Sequence, residues 1–333
     1  MNGIYSTRSR TQVSKPQPNK LKNAASPTLF EYPEDRSNLE PGRSVIIFTK
    51  SDYNQLQPAK FFNDTIISFF MQYHLDHEVP PELKSCIHVF NSFFFEKIKS
   101  LKDKKDCSMP SFGCASRWFK GVDIFDKDFL FMPVCERDHW LLIIVCYPNS
   151  FSNSKPHEIP DEELKEPAVF VLNSAQGVAP PIKRTLGQFL QYQWFIEKEV
   201  KRTFCIRNAK PGGLRMFFPD IPQQKNSSDC GVYILNYFFC FLKDPRKAYI
   251  KIFRRHNMKT WFLDNQVDIS RQRRKMTTLI KQQIISWNEQ LKTHTMTDNN
   301  NDLHETNETL ESQLDSPVDL TEESNSNSII VIH

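Results

Sequence analysis

The chain has 333 residues, of which 39% are hydrophobic, and it carries a formal net charge of +4. This apolar content, which includes 27 Phe, is enough for one large core or two modest ones. A charge this small does not by itself indicate nucleic-acid or membrane binding, and no apolar run reaches the roughly 18 residues of a membrane span. The N-terminus lacks the apolar segment of a secretory signal, so we expect a protein of the nucleus or the cytosol.

The eight cysteines do not follow a metal-binding pattern. None belongs to a C-x-x-C pair, and no His lies near two of them at the spacing of a zinc finger. We therefore expect no metal site. In a reducing compartment, most of these cysteines are expected to be buried thiols.

The two ends of the chain differ in composition from its middle. Residues 1–43 are polar and Pro-rich, and up to residue 30 their charges are all basic, which predicts a disordered arm. Residues 291–333 are acidic and too polar to bury a core, which predicts a disordered tail. Between them, residues 44–290 show the patterns of one globular domain.

The first part of this domain is predicted to contain a strand and two helices. The strand is "SVIIFTK". Apolar residues at helical spacing in "NDTIISFFMQYHLDHEV" predict a helix that is N-capped by Asn63 or Asp64. The stretch "SCIHVFNSFFFEKIKSL" predicts a second helix by the same spacing.

Three strands are predicted next. Continuous apolar runs predict the strands "DFLFMPV" and "HWLLIIVCY", joined by the turn "CERD", and "AVFVLNS" predicts the third. Residues 148–167, between the second and third strands, are polar and bounded by Pro. They predict an exposed loop inserted in a hairpin.

Helices dominate the last part. "RTLGQFLQYQWFIEKEV" predicts a helix, "LRMFFPD" an extended run, and "CGVYILNYFFCFLKD" an apolar helix that ends before Pro245. "ISRQRRKMTTLIKQQIISWNEQL" predicts an amphipathic helix whose basic run, residues 271–275, lies on a solvated face, with a role in nuclear import or nucleic-acid binding as the alternative. Helices, then strands, then helices indicate an α+β fold.

Cys230 stands where a polar loop turns into an apolar helix, in "IPQQKNSSDCGVYIL". A helix N-terminus and a nearby imidazolium both lower the pKa of a thiol, so this position suits a nucleophile. A buried thiol near a helix start is the alternative.

Three further residues lie at the ends of predicted elements, where functional sites are commonly built. His139 opens the second strand and Asn173 follows the third, so a hairpin would bring both to the same edge of the sheet. Such a His could act as the base for a thiol and the amide could orient it. Gln224 precedes Cys230 by six residues and could direct its amide N–H₂ at an oxyanion.

Five motifs in this order resemble the Ulp/SENP family of SUMO-specific cysteine proteases, a family of ubiquitin-like-protein proteases. They are "FFNDTIISFFMQY", "RWFKGVDIFDKDFLFMPV", "DHWLLIIV", "VLNSAQG" and "PQQKNSSDCGVY", and they cover residues 50 to about 245. Phe61, which stands where many members have Trp, and the polar insert are similar to the Ulp2/SENP6/SENP7-like branch. The resemblance implies a papain-like α+β fold with a central mixed sheet flanked by helices.

The resemblance implies a catalytic role for each of the candidates at the element ends. Cys230 would be the nucleophile, His139 the general base and Gln224 an oxyanion donor. The reaction would be cleavage of SUMO from conjugated lysines, without metal or other cofactor. A monomer that acts on SUMO and SUMO-conjugated proteins, with no membrane or nucleic-acid partner, is the corresponding expectation.

Further residues are implied to bind the modifier. Trp140 and Phe61 would clamp its diglycine tail in a narrow channel. Asp64 would accept a basic residue of the modifier surface, and Trp118, in the segment similar to the family's R-W motif, would also contact substrate.

Asn173 is a departure, because the family usually has Asp at this position. Asp both orients His and stabilises the imidazolium, whereas Asn only orients it. Since papain-like proteases use Cys-His-Asn, we expect an active enzyme that is slower or tuned to a different pH. A protease for another ubiquitin-like modifier and a SUMO-binding pseudoprotease are the alternatives.

The acidic tail contains two short apolar segments, "VDLTEE" and "SNSIIVI", that look like SUMO-interaction motifs. Their apolar positions are Val318, Leu320, Ile329, Ile330, Val331 and Ile332. Such segments can add a strand to an exposed sheet edge of a partner, and two in tandem favour polymeric chains through effective concentration.

Deletion of residues 295–333 is therefore expected to slow the processing of poly-SUMO chains more than the cleavage of a mono-SUMO substrate. Cleavage rates of both substrates by the two proteins check this. An equal loss on both would remove the tail from chain recognition.

Overall fold

The computed structural model describes residues 26–37, 39, 43–102, 115–150, 159–175, 182–197, 215–262 and 268–298. The strands in this part of the chain are β1 (Thr28–Tyr32), β2 (Ile46–Thr49), β3 (Ile87–Val89), β4 (Phe129–Glu136), β5 (His139–Cys146), β6 (Ala168–Leu172) and β7 (Arg215–Phe217). The α-helices are α1 (Lys50–Asn54), α2 (Asp64–His77), α3 (Pro81–Ser85), α4 (Phe94–Lys102), α5 (Ile182–Glu197), α6 (Cys230–Lys243), α7 (Pro245–Phe253), α8 (Lys259–Phe262) and α9 (Ile269–Asp298).

A five-stranded sheet in the order β3-β4-β5-β6-β7 forms the centre of the fold. The pairs β4–β5 and β5–β6 are antiparallel, whereas the edge strands β3 and β7 run parallel to their neighbours. The predicted turn between β4 and β5 has positive φ angles at Arg137 (52°) and Asp138 (60°), the geometry of a tight two-residue hairpin. This mixed sheet with flanking helices confirms the predicted α+β fold.

Both faces of the sheet are buried, which explains why its strands are continuous apolar runs rather than alternating ones. Phe131, Leu142 and Phe170 pack into one core with α2, α6 and α9. Their neighbours in the strands point to the opposite face, where Leu141 and Val169 pack into a second core with α4 and α5.

Helix α6 lies in the first core, with every residue from Cys230 to Leu242 buried. It ends at Lys243, before Pro245, as predicted. Helix α7 follows directly, and Asp244 caps its N-terminus by accepting a hydrogen bond from the Lys247 N–H.

Residues 28–32 were predicted to belong to the disordered arm, and this is wrong. They form β1, which pairs antiparallel with β2 and packs on α2. Phe30 stacks on Phe48 with ring centroids 4.9 Å apart and meets Phe69 edge-on. This strand lacks a clear pattern of apolar residues, so the sequence alone did not predict it. The aromatic contacts with residues distant in the sequence stabilise it.

The single helix predicted from "SCIHVFNSFFFEKIKSL" is also wrong, because its first part is strand β3. This strand pairs in parallel with β4, more than thirty residues further along the chain. Asn91 then starts α4, since its side-chain oxygen accepts from the Phe93 N–H and its carbonyl from the Phe94 N–H. Asn is common at turns and helix starts, so Asn91 was the signal in the sequence that the strand ends and a new helix begins here.

The insert between β5 and β6 is anchored where the structure describes it. Leu164 is fully buried, and the Arg246 guanidinium donates to the carbonyls of Asp161, Glu162 and Leu164. The prediction of an exposed loop holds for most of this end, because residues 160–163 and 165 are exposed, and Leu164 is the buried exception. Residues 151–158 lie outside the described residues.

Helix α9 continues to Asp298, past residue 291 where the tail was predicted to begin. It packs along β1, and Gln290 donates a hydrogen bond to Glu34 next to that strand. Within the described residues, no helix is both long and apolar enough to cross a membrane.

His74 of α2 is enclosed by aromatic rings of α6, and its ring centroid is 4.4 Å from that of Phe239. Burial, with a smaller effect of the Lys243 charge, lowers the pKa of His74 to about 4. Its Nδ1 has no hydrogen-bond partner among the described residues, which agrees with a neutral ring.

We predict that the stability of the protein falls as pH drops from about 6.5 to about 4, because the unfolded chain binds a proton at His74 in this range and the folded chain does not. His74→Phe should remove up to about 3 kcal/mol of this loss. Urea unfolding at several pH values measures it. The matched variant His77→Phe, on the exposed side of α2, should keep the full pH dependence; if both variants behave alike, His74 is not responsible.

Candidate active site

The Cys230 thiol lies at the first residue of α6 and beside the start of β5. The loop before it is held in place by two tyrosines of α6, since Tyr237 and Tyr233 donate from their hydroxyls to the carbonyls of Pro222 and Gln223. Backbone N–H groups close to the thiol, among them that of Trp140, lower its pKa. The structure thus places Cys230 against the edge of the sheet.

Burial raises the pKa of the Cys230 thiol, and the N–H groups of Trp140 and Gly231 oppose this only in part. The adjacent Asp229 carboxylate adds to the rise. The N–H groups of Cys230 and Gly231 at the start of the helix do lower this pKa, as expected, but burial outweighs them and the pKa of the thiol is raised. An imidazolium partner is needed to hold the thiolate.

His139 and Asn173 meet at the sheet edge, as the hairpin predicted. His139 Nε2 lies 2.7 Å from Asn173 Oδ1, and the same oxygen accepts from the Ala175 N–H at 3.0 Å. Because a backbone N–H can only donate, the atom it contacts must be the amide oxygen. His139 therefore carries its proton on Nε2 when neutral and leaves Nδ1 free to act as a base.

Gln224 is held by its neighbours rather than pointing freely into the site. Its side-chain oxygen accepts from Ser174 Oγ at 2.6 Å, and its Nε2 donates to the Asn226 carbonyl at 2.6 Å. An amide N–H₂ has two hydrogens, so one remains for an oxyanion. The role of Gln224 stays a prediction.

Of the two residues predicted to line the channel, Trp140 is buried and Phe61 is exposed. Trp140 is 2% exposed, and its indole N–H donates to the Phe62 carbonyl at 2.8 Å. Phe61 projects from the same turn and is 46% exposed. A Cβ at Gly231 would lie 2.7 Å from Phe62 Cβ, so glycine is required where the turn that carries Phe61 and Phe62 packs beside Cys230.

Asp64 and Trp118 lie in different places. Asp64 begins α2, accepts from Ser92 Oγ at 2.6 Å, and lines a groove of about 280 Å³ beside the exposed side chains of Ile47 and Phe93. Trp118 packs against the core on the opposite face of the sheet from Cys230. The structure therefore does not bring Trp118 together with the thiol, and its substrate contact stays a prediction.

The basic run at residues 271–275 was predicted to lie on a solvated face, and this is wrong for Arg273. Arg273 is 3% exposed, and its Nη2 forms an ion pair with Asp229 Oδ1 at 2.7 Å. A signal existed in the sequence, because Arg273 falls on the apolar stripe of α9 with Met276 and Ile280. Asp229, Asn226 and Ser174 were missed for another reason: their roles depend on partners distant in the chain.

Two predicted features are not tested by this geometry. The six tail positions from Val318 to Ile332 lie outside the described residues. Among the residues that the structure describes, no group of three or more His, Cys, Asp or Glu could hold a metal ion.

A thiol at the start of a buried helix, facing a sheet edge with a His held by Asn, is the arrangement of a papain-like cysteine protease. The model of the "Ulp1 protease family, C-terminal catalytic domain" matches residues 60–284. The chain belongs to this family, which confirms the predicted resemblance.

Curated relatives include proteases of the predicted branch. "Probable ubiquitin-like-specific protease 2B" of Arabidopsis thaliana is 32% identical over 74% of this chain and 27% of its own length. "Sentrin-specific protease 7" of Rattus norvegicus is 27% identical over 66% of this chain and 26% of its own length. "Ubiquitin-like-specific protease 2" of Schizosaccharomyces pombe is 28% identical over 68% and 37%. The chain thus spans about a quarter to a third of these relatives.

A solved structure described as a "de-sumoylating protease" shares the fold. Its TM-score is 0.58 at 18% identity, and the match covers 77% of this chain and 93% of that one. The likeness supports the predicted fold.

We predict opposite effects for two substitutions at Asn173. Asn173→Asp keeps the acceptor for His139 and Ala175 and adds a charge that stabilises the imidazolium, so alkylation of Cys230 by iodoacetamide at pH 7 should be retained or faster. Asn173→Ala removes the acceptor and should slow it about 10–100-fold, the worth of one hydrogen bond to a charged partner. Mass spectrometry of the Cys230 peptide measures both rates. Equal rates in all three proteins would contradict a role for Asn173 in holding the ring.

Proposed function

We propose that the protein is a cysteine protease that removes SUMO from lysine side chains of conjugated proteins. The observation that carries this is the His139–Asn173 pair at the sheet edge beside Cys230 in a member of the Ulp1 protease family. Relatives named as sentrin-specific and ubiquitin-like-specific proteases support SUMO as the modifier.

The chemistry begins with proton transfer from the Cys230 thiol to His139 Nδ1. The thiolate attacks the carbonyl carbon of the modifier's terminal Gly and forms a tetrahedral oxyanion, which the second Gln224 N–H and the Cys230 backbone N–H stabilise. His139 then gives its proton to the departing lysine amine as the C–N bond breaks. A water, deprotonated by His139, hydrolyses the thioester and releases the free thiol.

The surroundings of the thiol support a substrate with a thin C-terminal tail on a globular body. The tail would pass between Trp140 and the exposed Phe61 ring, and we propose that this passage admits only glycine. The body would rest on the surface around Asp64, whose exposed Ile47 (52%) and Phe93 (53%) offer an apolar contact next to a carboxylate. A surface of this kind suits a folded modifier with a basic residue beside an apolar patch.

Action on SUMO chains is part of the proposal, since the relatives belong to the Ulp2 and SENP7 type. The two apolar segments of the acidic tail would hold a second SUMO unit of the same chain. We further propose a monomer that works in the nucleus, with a cytoplasmic pool as the alternative.

A panel of ubiquitin-like modifiers with C-terminal electrophiles tests the proposed function. The wild-type protein should form a covalent adduct at Cys230 with the SUMO probe only, and Cys230→Ser should form none. SUMO-conjugated protein should be cleaved by the wild type and not by this variant.

The other outcomes separate the alternatives. An adduct with a different modifier identifies a protease for that modifier. Tight binding of SUMO without adduct or cleavage identifies a pseudoprotease, and either result overturns the proposal.

A further inference from the structure

Arg273 is a buried cation on an otherwise exposed basic stretch of helix. Its neighbours Arg271 and Arg274 face solvent, whereas Arg273 is 3% exposed. Its Nε and Nη2 both donate to Asp229 Oδ1, at 3.2 and 2.7 Å. The partner carboxylate belongs to the residue directly before the nucleophile.

The same guanidinium holds the loop that precedes the channel wall. Nη1 donates to the Gln57 carbonyl at 3.1 Å, and Nη2 donates to the Lys60 carbonyl at 2.9 Å. The guanidinium also stacks over the Phe62 ring, 4.6 Å from its centroid. Lys60 and Phe62 flank Phe61, so Arg273 contacts the backbone on one side of that exposed residue and the neighbouring ring on the other.

On the other side, the contacts of Arg273 continue toward the oxyanion donor. Nη2 also donates to the Ser228 carbonyl at 3.3 Å. The second oxygen of Asp229 accepts from Asn226 Nδ2 at 2.6 Å, and the Asn226 carbonyl accepts from Gln224 Nε2. One side chain of α9 is thereby connected to the loop that carries both Gln224 and Cys230.

Stability alone does not require this arrangement. Buried ion pairs add little stability relative to apolar residues of similar volume, and Arg273 occupies a position of the apolar stripe of α9 between Ile269 and Met276. A Met there would pack the helix, but it could not bind carbonyls of two loops that are more than 150 residues apart in the sequence. The multidentate fork of Arg suits this purpose, whereas Lys has a single charged nitrogen.

We propose that Arg273 is a positioning residue of the active site, which holds the channel wall at Phe61 and Phe62 in register with Cys230 and Gln224. Without it, the tail of the modifier would still enter, but its scissile carbonyl would lie out of line with the thiol. A displacement of 1 Å can cost about 10²-fold in rate. The inference rests on the proposed function, because its main readout is cleavage of a modifier substrate.

Arg273→Lys tests the proposal, with Arg274→Lys as the matched control on the exposed face of the same helix. With SUMO bearing a C-terminal fluorogenic amide as substrate, Arg273→Lys should lower kcat about 10–100-fold and change KM less than about twofold, since the body of the modifier docks elsewhere. Arg274→Lys should match the wild type in both constants. Wild-type kcat in Arg273→Lys, or a rise in KM with unchanged kcat, overturns the proposal.

The double variant Asp229→Asn/Arg273→Met tests whether misfolding, rather than misalignment of the channel, explains a loss of kcat. It is expected to fold because it leaves no unpaired buried charge. It should keep the reduced kcat, while iodoacetamide should label Cys230 at no less than about a third of the wild-type rate, because this small reagent does not need an aligned channel and loss of the Asp229 carboxylate lowers the pKa of the thiol. A wild-type kcat in the double variant, or labelling that falls in parallel with kcat, overturns the proposal. A wild-type protein that cleaves no modifier substrate instead refutes the proposed function itself, before any variant is compared.

Discussion

Helix α6 passes through the interior with all residues from Cys230 to Leu242 buried. A helix that is apolar all round must be enclosed, and here the sheet covers one side while α2 and α9 cover the other. Its first residue can reach substrate only where this enclosure ends, at the edge where β5 begins and β6 stops. His139 and Asn173 stand at that edge because they terminate those two strands. Enclosure of one helix therefore decides where the chemistry can occur.

The same enclosure has an electrostatic cost for the nucleophile. Burial favours the neutral thiol, and the amide groups around it compensate only partly. The thiolate consequently depends on the imidazole more than on the helix N-terminus. Asn173 supports the imidazole by geometry alone, with the Ala175 N–H determining which of its amide atoms faces the ring. In such a site, the imidazole is oriented by a neutral amide rather than by a carboxylate.

Local patterns were sufficient to predict much of this structure, and the exceptions have a common cause. Cys230, His139 and Asn173 were found because each marks the end of a strongly apolar segment. Strand β1 was missed because it lies in a polar, Pro-rich stretch, and β3 because it lies inside an apolar run with helical spacing. Both strands pair with partners that are distant in the sequence. Arg273 was wrongly predicted to face solvent because its neighbours in the sequence are also basic, although its spacing places it on the apolar stripe of α9. Only the contact with Asp229, which the sequence does not reveal, explains why this Arg is buried.

Helix α9 returns the chain to β1, where Gln290 contacts Glu34. The first strand and the last helix of the fold are therefore next to each other. Loss of the packing of α9 on β1 would therefore disturb both of these elements together. Since Arg273 lies on the same helix and contacts Asp229, the packing of α9 on β1 is connected through one helix to the residue that precedes Cys230.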